Sequence, residues 1–297
     1  AVILATEGHQ GLWSKPSDGS GTGSALAISA GIDLKGVEFT PRHPLTIRDC
    51  GIHIPMDVLG SGGRIRRENG DDVGPEEALE GETCVLDLRQ MDADAKVWFS
   101  QTSMRIMDRL GIDISKDVIP LSPGVAYTTG GAPSDAQGRV VFQGHTTEGL
   151  PAELWHTGLY AAGRSAHTGM HGSNALPGNL LLDDLVSGKA AGDHASEWAT
   201  EIKFGGNTQI EEAVKREADR ISSIMVGDGM AVAKFHSKLT SAISSGSSNE
   251  ASLAELRAIK DTGISLTDTS SVMNTEMAEA LRLVGLASVA EAILTSG

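Results

Sequence analysis

The residues whose types and spacing could do chemistry are His43, His171 and the turn glycines around Asn179. The stretch "TGMHGSNALPGNLLLDDLVSGKAAGDHA", residues 168–195, opens on a histidine and a tight Gly-rich turn. It then becomes an apolar helix starting near Asn179. A helix N-terminus of this kind presents backbone N–H groups to something electron-rich. His167 and His171 are spaced i, i+4, with His145, His156 and His194 in the same stretch. No HExxH or cysteine partner accompanies them, so no metal site is expected. "GSGTGSA" lacks the GK[ST] of a phosphate loop. Ser165 in "AGRSAHTG" lacks the GxSxG elbow of a serine hydrolase. The acidic pairs Glu76/Glu77 and Asp183/Asp184 read as solvated faces or a helix N-terminus.

The elements that must position these residues follow from composition and pattern. Forty per cent of the 297 residues are apolar, with 36 Gly and 4% aromatic. That balance suits an α/β protein with tight turns. A net charge of -15 repels polyanions and sets nucleic-acid partners aside. Cys50 and Cys84 read as unpaired thiols in a reducing compartment. No apolar run reaches the roughly 20 residues of a membrane span. There is no signal-peptide pattern, and the opening on strand-like "AVILATEG" suggests further material upstream.

"GSGGRIRRENGDD" is expected to form a hairpin or turn, and "DDVGPEEALEGE" a linker or trimmed loop. "CVLDLR" is a short strand. "DADAKVWFSQTSMRIMDRLGID" is an amphipathic helix with Val97, Met104 and Leu110 among its apolar positions. "GVAYTTGG" and "GLYAAGRSA" are strands ending in glycine turns. Beyond residue 197 three antiparallel helices are expected. The first carries Ile210, Val214, Ala218, Ile221 and Met225, and "SSGSSN" is a linker. The last starts at an Asn274 N-cap with Met277, Leu281 and Leu283 facing a core.

Read together, "LYAAGRSAHTGMHGSNALPGNLLLDDLVSGKAAGDHA" resembles the flavoprotein subunit of succinate dehydrogenase and fumarate reductase, where the pattern is GLYAAGE…HGANRLGGNSLLD. "AVILATEG" resembles the ATGG strand-turn of that family. "SGTGSALAISAGIDLKGVEFTPRHP" is similar to its TGDG helix followed by MEF.Q.HPT. "IDISKDVIPLSPGVAYTTGGAPSDAQGRV" is similar to PI.V.P..HYTMGG..TD..G, and "SSVMNTEMAEALRLVGLASVAEAIL" to FNTEL.EALEL…LAEAI. The last of these distinguishes this branch from the related L-aspartate oxidases. The motifs occur in the family's order over most of the chain.

The resemblance implies an α/β fold: an incomplete, dinucleotide-binding-like FAD-binding domain with a reduced capping domain and a C-terminal three-helix domain. The expected boundaries are 1–50 and 119–196 for the FAD-binding parts, 51–118 for the capping remnant and 197–297 for the helices. It implies hydride exchange between a C4-dicarboxylate and FAD, and electron transfer to an iron–sulfur subunit or other respiratory-complex subunits. The expected location is peripheral to an energy-transducing membrane, on its cytoplasmic or mitochondrial-matrix side. No GxGxxG occurs in the sequence, most of the capping domain is missing, and the family's Arg-rich C-terminal segment is not reached. FAD binding by this chain alone is therefore expected to be weak or absent.

A diacid needs cationic clamps and a proton donor or acceptor. Where the family has such groups, this sequence has Ala175 for the Arg of HGANR and Ala126 for the His of HYTMGG. Met56 and Leu59 stand for the Glu and Arg of TEA.RGEGG, and Leu45 for the Thr after HP. His43 is the one retained polar position of the substrate shell. Arg42, Arg48 and Arg164 are nearby cations that read as surface arginines. Losing one partner of a buried charge pair costs about 2–5 kcal/mol, and losing a general acid roughly 10²–10⁴ in rate. On the cofactor side Arg164 replaces a Glu, Thr22 the TGDG acid, Glu7 a Gly and Leu180 a Ser. The expected cofactor-binding positions are Thr6, Gly8, Gly21, Gly23, Gly163, His171, Gly172, Leu176, Gly178 and Asn179. The implied function is a divergent dicarboxylate-linked flavoprotein subunit with weakened or lost catalysis; the alternative is a catalytically silent structural or assembly subunit.

Overall fold

Apolar Val2–Leu4 forms strand β1, and the small residues of Thr22–Ser29 form helix α1, entered through Gly21 at φ 65°. These come from a computed structural model that describes residues 1–13, 19–80, 83–176, 178–202, 207–244 and 248–296. The Gly/Ser loop expected around 15–23 and the linker around 244–249 lie partly outside the described residues. Two compact units result: 1–13, 19–40 and 127–296 make one, and 41–126 the other. The expected capping remnant, 51–118, falls inside the second unit.

In the second unit, chain order gives β2 (Arg42–His43), α2 (Asp57–Gly60), β3 (Arg64–Arg67), β4 (Asp72–Val73), α3 (Pro75–Leu79) and β5 (Cys84–Asp87). There follow α4 (Ala93–Trp98), α5 (Ser100–Leu110), β6 (Ile119–Pro120) and β7 (Gly124–Val125). The sheet runs β4-β3-β5-β6, and β2 pairs with β7. The hairpin expected from "RIRRENGDD" is present, turning at Gly70 with φ 93°. The linker expected after it is instead structured. Asp72–Val73 pairs in the sheet, and Pro75 opens a short helix whose Glu77 carboxylate accepts the Gly74 N–H at 3.0 Å.

The expected amphipathic helix is broken at Phe99, which ends α4 and starts α5 at φ -84°, ψ -3°. The break shifts the phase. Val97 is 74% exposed, and Met104 and Leu110 also face outward, while Ala95, Phe99 and Ile106 enter the core with Leu45, Ile54, Ile65 and Leu86.

Asp87, only 3% exposed, receives Arg66 at 3.0 Å and Arg89 at 2.8 Å, and Arg66 also reaches Asp72 at 2.9 Å. Its hydrogen bonds to Arg89, with the nearby charges, hold the carboxyl down at about 2. The folded pKa lies below the unfolded value, so the stabilisation is present above about pH 4 and lost as pH falls toward 2. With partly solvated guanidiniums it amounts to about 1–2 kcal/mol. Asp87→Asn should lose that much at pH 7 and flatten the urea midpoint between pH 4 and 2; an unchanged profile would refute the assignment.

The first unit resumes with β8 (Ala132–Pro133), β9 (Arg139–His145), β10 (Pro151–Ala161), β11 (Ala166–His167) and the long α6 (Asn179–Glu201). Then come α7 (Asn207–Met225), β12 (Met230–Ala231), α8 (Val232–Ser244), α9 (Asn249–Thr262), β13 (Ile264–Ser265) and α10 (Thr275–Ser296). Its main sheet is β1-β10-β9, with β1 parallel to β10 and β9 antiparallel. "GVAYTTGG" is strand only at Gly124–Val125, and the strand leading into "AAGRSA" begins earlier than expected, at Pro151.

Among the described residues four helices lie beyond residue 206, one more than periodicity picks out. The additional one is α8, which buries Phe235, Leu239 and Ala242 despite its Lys, Ser and Thr content. These helices share one core with Leu4, Leu12 and Ala27 through Phe235, Leu256, Leu283 and Leu286. Asn274 caps α10, accepting the Met277 N–H at 2.7 Å. Leu283 is fully buried as expected, whereas Met277 and Leu281 are half-buried. Of the expected stripe on α7, Ile210 and Val214 are exposed, whereas Ile221 and Met225 are half-buried.

Candidate functional site

Thr6 and Ser165 knot three elements of the first unit together. The Ser165 hydroxyl accepts the Thr6 N–H at 2.8 Å, donates to the Thr6 carbonyl at 2.9 Å and lies 3.0 Å from Thr6 Oγ1. Thr6 Oγ1 accepts the Gly23 N–H at 2.9 Å. A Cβ on Gly23 would stand 2.6 Å from that oxygen and 2.7 Å from Ser165 Oγ, so only glycine admits the contact. The end of β1, the start of α1 and the turn after β10 thus converge on two hydroxyls. Gly8 and Gly21 join the same node through the Gly21 N–H and Gly8 carbonyl, 3.0 Å apart.

A second cluster is built on Tyr127–Thr129. Tyr127 donates to Asn174 Oδ1 and accepts the Ala175 N–H at 3.1 Å, pinning the loop ahead of α6. Burial pushes the Tyr127 hydroxyl pKa up, so it stays a neutral donor. Thr128 accepts the His9 N–H at 3.1 Å, and Thr129 donates to the Gly172 carbonyl at 3.2 Å. His171 reaches Asp183 at 3.2 Å, both largely buried. Its ring is therefore engaged by the second turn of α6. Asp183 and Asp184, read from sequence as a solvated face or a helix N-terminus, lie near the start of α6 and hold His171 and Arg164 respectively. Gly178 enters α6 at φ 82°, Asn179 is the first helical residue, and Leu176 is 71% exposed. No cluster of His, Cys, Asp and Glu able to hold a metal occurs among the described residues.

Beside the first knot lies an open cleft of about 490 Å³, lined by Thr6, Glu7, Ser20, Thr22, Arg164 and Asp184 among others. Gly163, at φ 54°, carries Arg164 over its rim, and the Gly163 N–H is held by Ser187 of α6 at 2.8 Å. The Glu7 carboxylate accepts the Gly19 N–H. Thr6 and Gly163 are the expected site residues that this cleft gathers. His171 and Gly172 instead border a smaller pocket with Thr128 and Thr129.

His43 belongs to the other unit. Its Nε2 lies 2.7 Å from the Ile54 carbonyl, so the neutral ring donates there, and burial lowers its pKa. The His53 ring lies tilted against it, 5.6 Å between ring centres, and is bonded through Nδ1 to Thr46 at 2.9 Å. Sequence reading missed this pair; "RHPLT…IHIP" offers only the histidine spacing as a signal. Arg48 donates to the Leu121 carbonyl at 3.3 Å, and Arg42 is exposed on β2. At the positions where the family resemblance expects a Thr and an Arg, Leu45 and Ala175 are buried. Tyr127, Thr128, Thr129 and Ser165 were also missed as organising residues, since hydroxyls in glycine turns carry no spacing signal.

A converging set of glycine turns at one end of a parallel β1/β10 pair is the architecture of a nucleotide-cofactor cradle. Residues 1–181 match the FAD binding domain family, and the chain belongs to that family. FAD is the family's cofactor.

The fumarate reductase flavoprotein subunit of Escherichia coli (strain K12) is 25% identical over 350 aligned residues, covering 100% of this chain and 56% of that protein. The L-aspartate oxidase of Mycobacterium leprae is 29% identical over 259 residues, 75% of this chain and 46% of that protein. A solved chain of E. coli quinol fumarate reductase superposes with TM-score 0.86 at 23% identity, covering 100% of this chain and 57% of its own. The chain therefore has that fold, and it spans about half the length of the curated relatives it matches.

The residues present fit part of the cofactor. The cleft offers polar walls and backbone turns, Gly23 is pressed close to Thr6, and the side chains of Arg164, Thr22 and Glu7 line the space.

Proposed function

We propose that this chain is the cofactor-cradling and helical part of a succinate dehydrogenase/fumarate reductase-type flavoprotein subunit, with catalysis weakened or lost. The observation that carries the reading is the pair of hydroxyl knots, Thr6–Ser165 and Tyr127–Thr129, which hold the cofactor-side turns in place. When bound, FAD supplies the hydride-accepting chemistry. Thr6, Gly8, Gly21, Gly23 and Gly163 shape one wall, and His171, Gly172, Leu176, Gly178 and Asn179 the approach to the α6 N-terminus.

His43 donates to the Ile54 carbonyl and is neutral at pH 7, which suits orienting a substrate more than clamping its carboxylates. A C4-dicarboxylate is the substrate class, an iron–sulfur or other respiratory-complex subunit the electron partner, and the face of an energy-transducing membrane the place of work. None of the helices described is long and apolar enough to cross a membrane.

The second reading, a silent assembly subunit, draws support from Ala126, Ala175, Met56 and Leu59 at positions that would carry the charged chemistry.

The test is FAD titration by fluorescence quenching, followed by succinate-dependent dye reduction. Weak binding, with turnover lowered by roughly 10²–10⁴ or more, is expected. A folded protein indifferent to FAD overturns the cofactor assignment, and turnover at an ordinary enzymic rate overturns the weakened catalysis.

A further inference from the structure

We propose that Asp184 and Arg164 form this chain's own recognition pair for a polyhydroxylated ligand segment, the sugar-alcohol chain of a flavin or the ribose of a nucleotide. This rests on the cofactor reading above and deepens it.

The two groups face each other at 3.6 Å, beyond a normal hydrogen bond, with about a third of each side chain exposed. A carboxylate offers about four acceptor sites and a guanidinium five donors. One long contact leaves most of that capacity unused on two side chains that line the cleft. Asp184 is placed by its position on α6 and its close packing on Gly163 rather than by Arg164. It sits on the second turn of α6, where a Cβ on Gly163 would lie 2.3 Å from its Oδ1, and Ser187 one turn on holds the Gly163 N–H. The carboxylate thus stays at the rim whether or not Arg164 swings away.

Across the cleft, Thr22 donates to Ser20 Oγ at 2.9 Å, leaving the Thr22 oxygen able to accept and the Ser20 hydroxyl able to donate. Acceptors, donors and hydroxyls alternate around about 490 Å³. A vicinal diol has the same alternation, donating to a carboxylate and accepting from a guanidinium. A phosphate does not, because among the described residues Asp184 and Glu7 together outweigh the one arginine lining the cleft.

The experiment uses the full chain with riboflavin, lumiflavin (the same ring without the hydroxylated tail) and adenosine, each titrated by fluorescence or calorimetry. Riboflavin should bind at least 10-fold more tightly than lumiflavin. Asp184→Asn, which preserves shape beside Gly163, should weaken riboflavin about 10-fold or more while leaving lumiflavin unchanged. Thr22→Val on the opposite wall should give a smaller loss of the same selectivity. Adenosine binding with the same Asp184→Asn sensitivity would support the pair and assign it to a ribose. Equal binding of riboflavin and lumiflavin, or an Asp184→Asn protein that binds riboflavin as before, overturns the pair while the flavin reading stands. Failure of every flavin and of adenosine to bind overturns both.

Discussion

Gly130→Ala should destabilise the first unit by about 3 kcal/mol or more, measured as a lowered urea midpoint at pH 7.5. A Cβ on Gly130 would fall 2.4 Å from the Gly36 carbon, the Gly36 oxygen and the Val37 nitrogen. All three are backbone atoms, so no rotamer change relieves the clash. The two segments must part, which breaks the mutual Lys35–Gly131 hydrogen bonds of 3.0 Å each. The same displacement carries Thr128 and Thr129 away from His9 and Gly172, so flavin affinity should fall with stability. Gly192→Ala supplies the contrast. That glycine is inside α6 with nothing within 4 Å of its Cβ position. The change should stabilise by about 0.5–1 kcal/mol. Equal effects of the two substitutions would refute the close-approach argument.

The second large effect is a loss of stability on mild acidification. His9 is fully buried, and burial, only partly offset by the Val37 backbone, lowers its pKa to about 4. The unfolded chain takes up a proton near pH 6.5 that the folded form refuses. Stability from this group is therefore complete above about pH 6.5 and declines as pH falls toward 4. The total is about 3 kcal/mol, from 1.36 kcal/mol per pKa step. Urea unfolding at pH 7.5, 6, 5 and 4.5 should show the midpoint dropping steadily, and His9→Gln should flatten that slope. This window lies above the Asp87 window, so the two groups separate on one titration. A wild-type midpoint constant from pH 7 to 4.5 would refute the burial argument.

Helix caps and turns are local and were readable: Asn274 caps α10, Gly70 turns the hairpin, and α6 starts at Asn179. Phase was less readable. One buried Phe99 divides a periodic segment and turns Val97, Met104 and Leu110 outward. A pattern of apolar spacing cannot show such a break, because Phe satisfies a continuous helix equally well. On α7 the stripe at Ile210 and Val214 is visible in sequence yet unburied in the first unit.

In the candidate site, the glycines announced themselves by type. Their partners did not, because Thr6 meets Ser165 across 159 residues and His9 meets Thr128 across 119. Asp183 and Asp184 looked like ordinary helix-start acids until the loop carrying His171 and the turn carrying Arg164 were seen against them. The substituted positions, Ala126 and Ala175 among them, were legible only through the family resemblance.

Among the described residues β1 is hydrogen-bonded only to β10, leaving its other flank as an open row of peptide groups with Val2 60% exposed beside it. Leu181, Leu182, Leu185 and Val186 on α6 are uncovered too. An unguarded rim of this sort templates strand addition from any extended peptide that meets it. Handled by itself, the polypeptide should therefore turn cloudy as its concentration rises, the more so when salt screens its charge of -15.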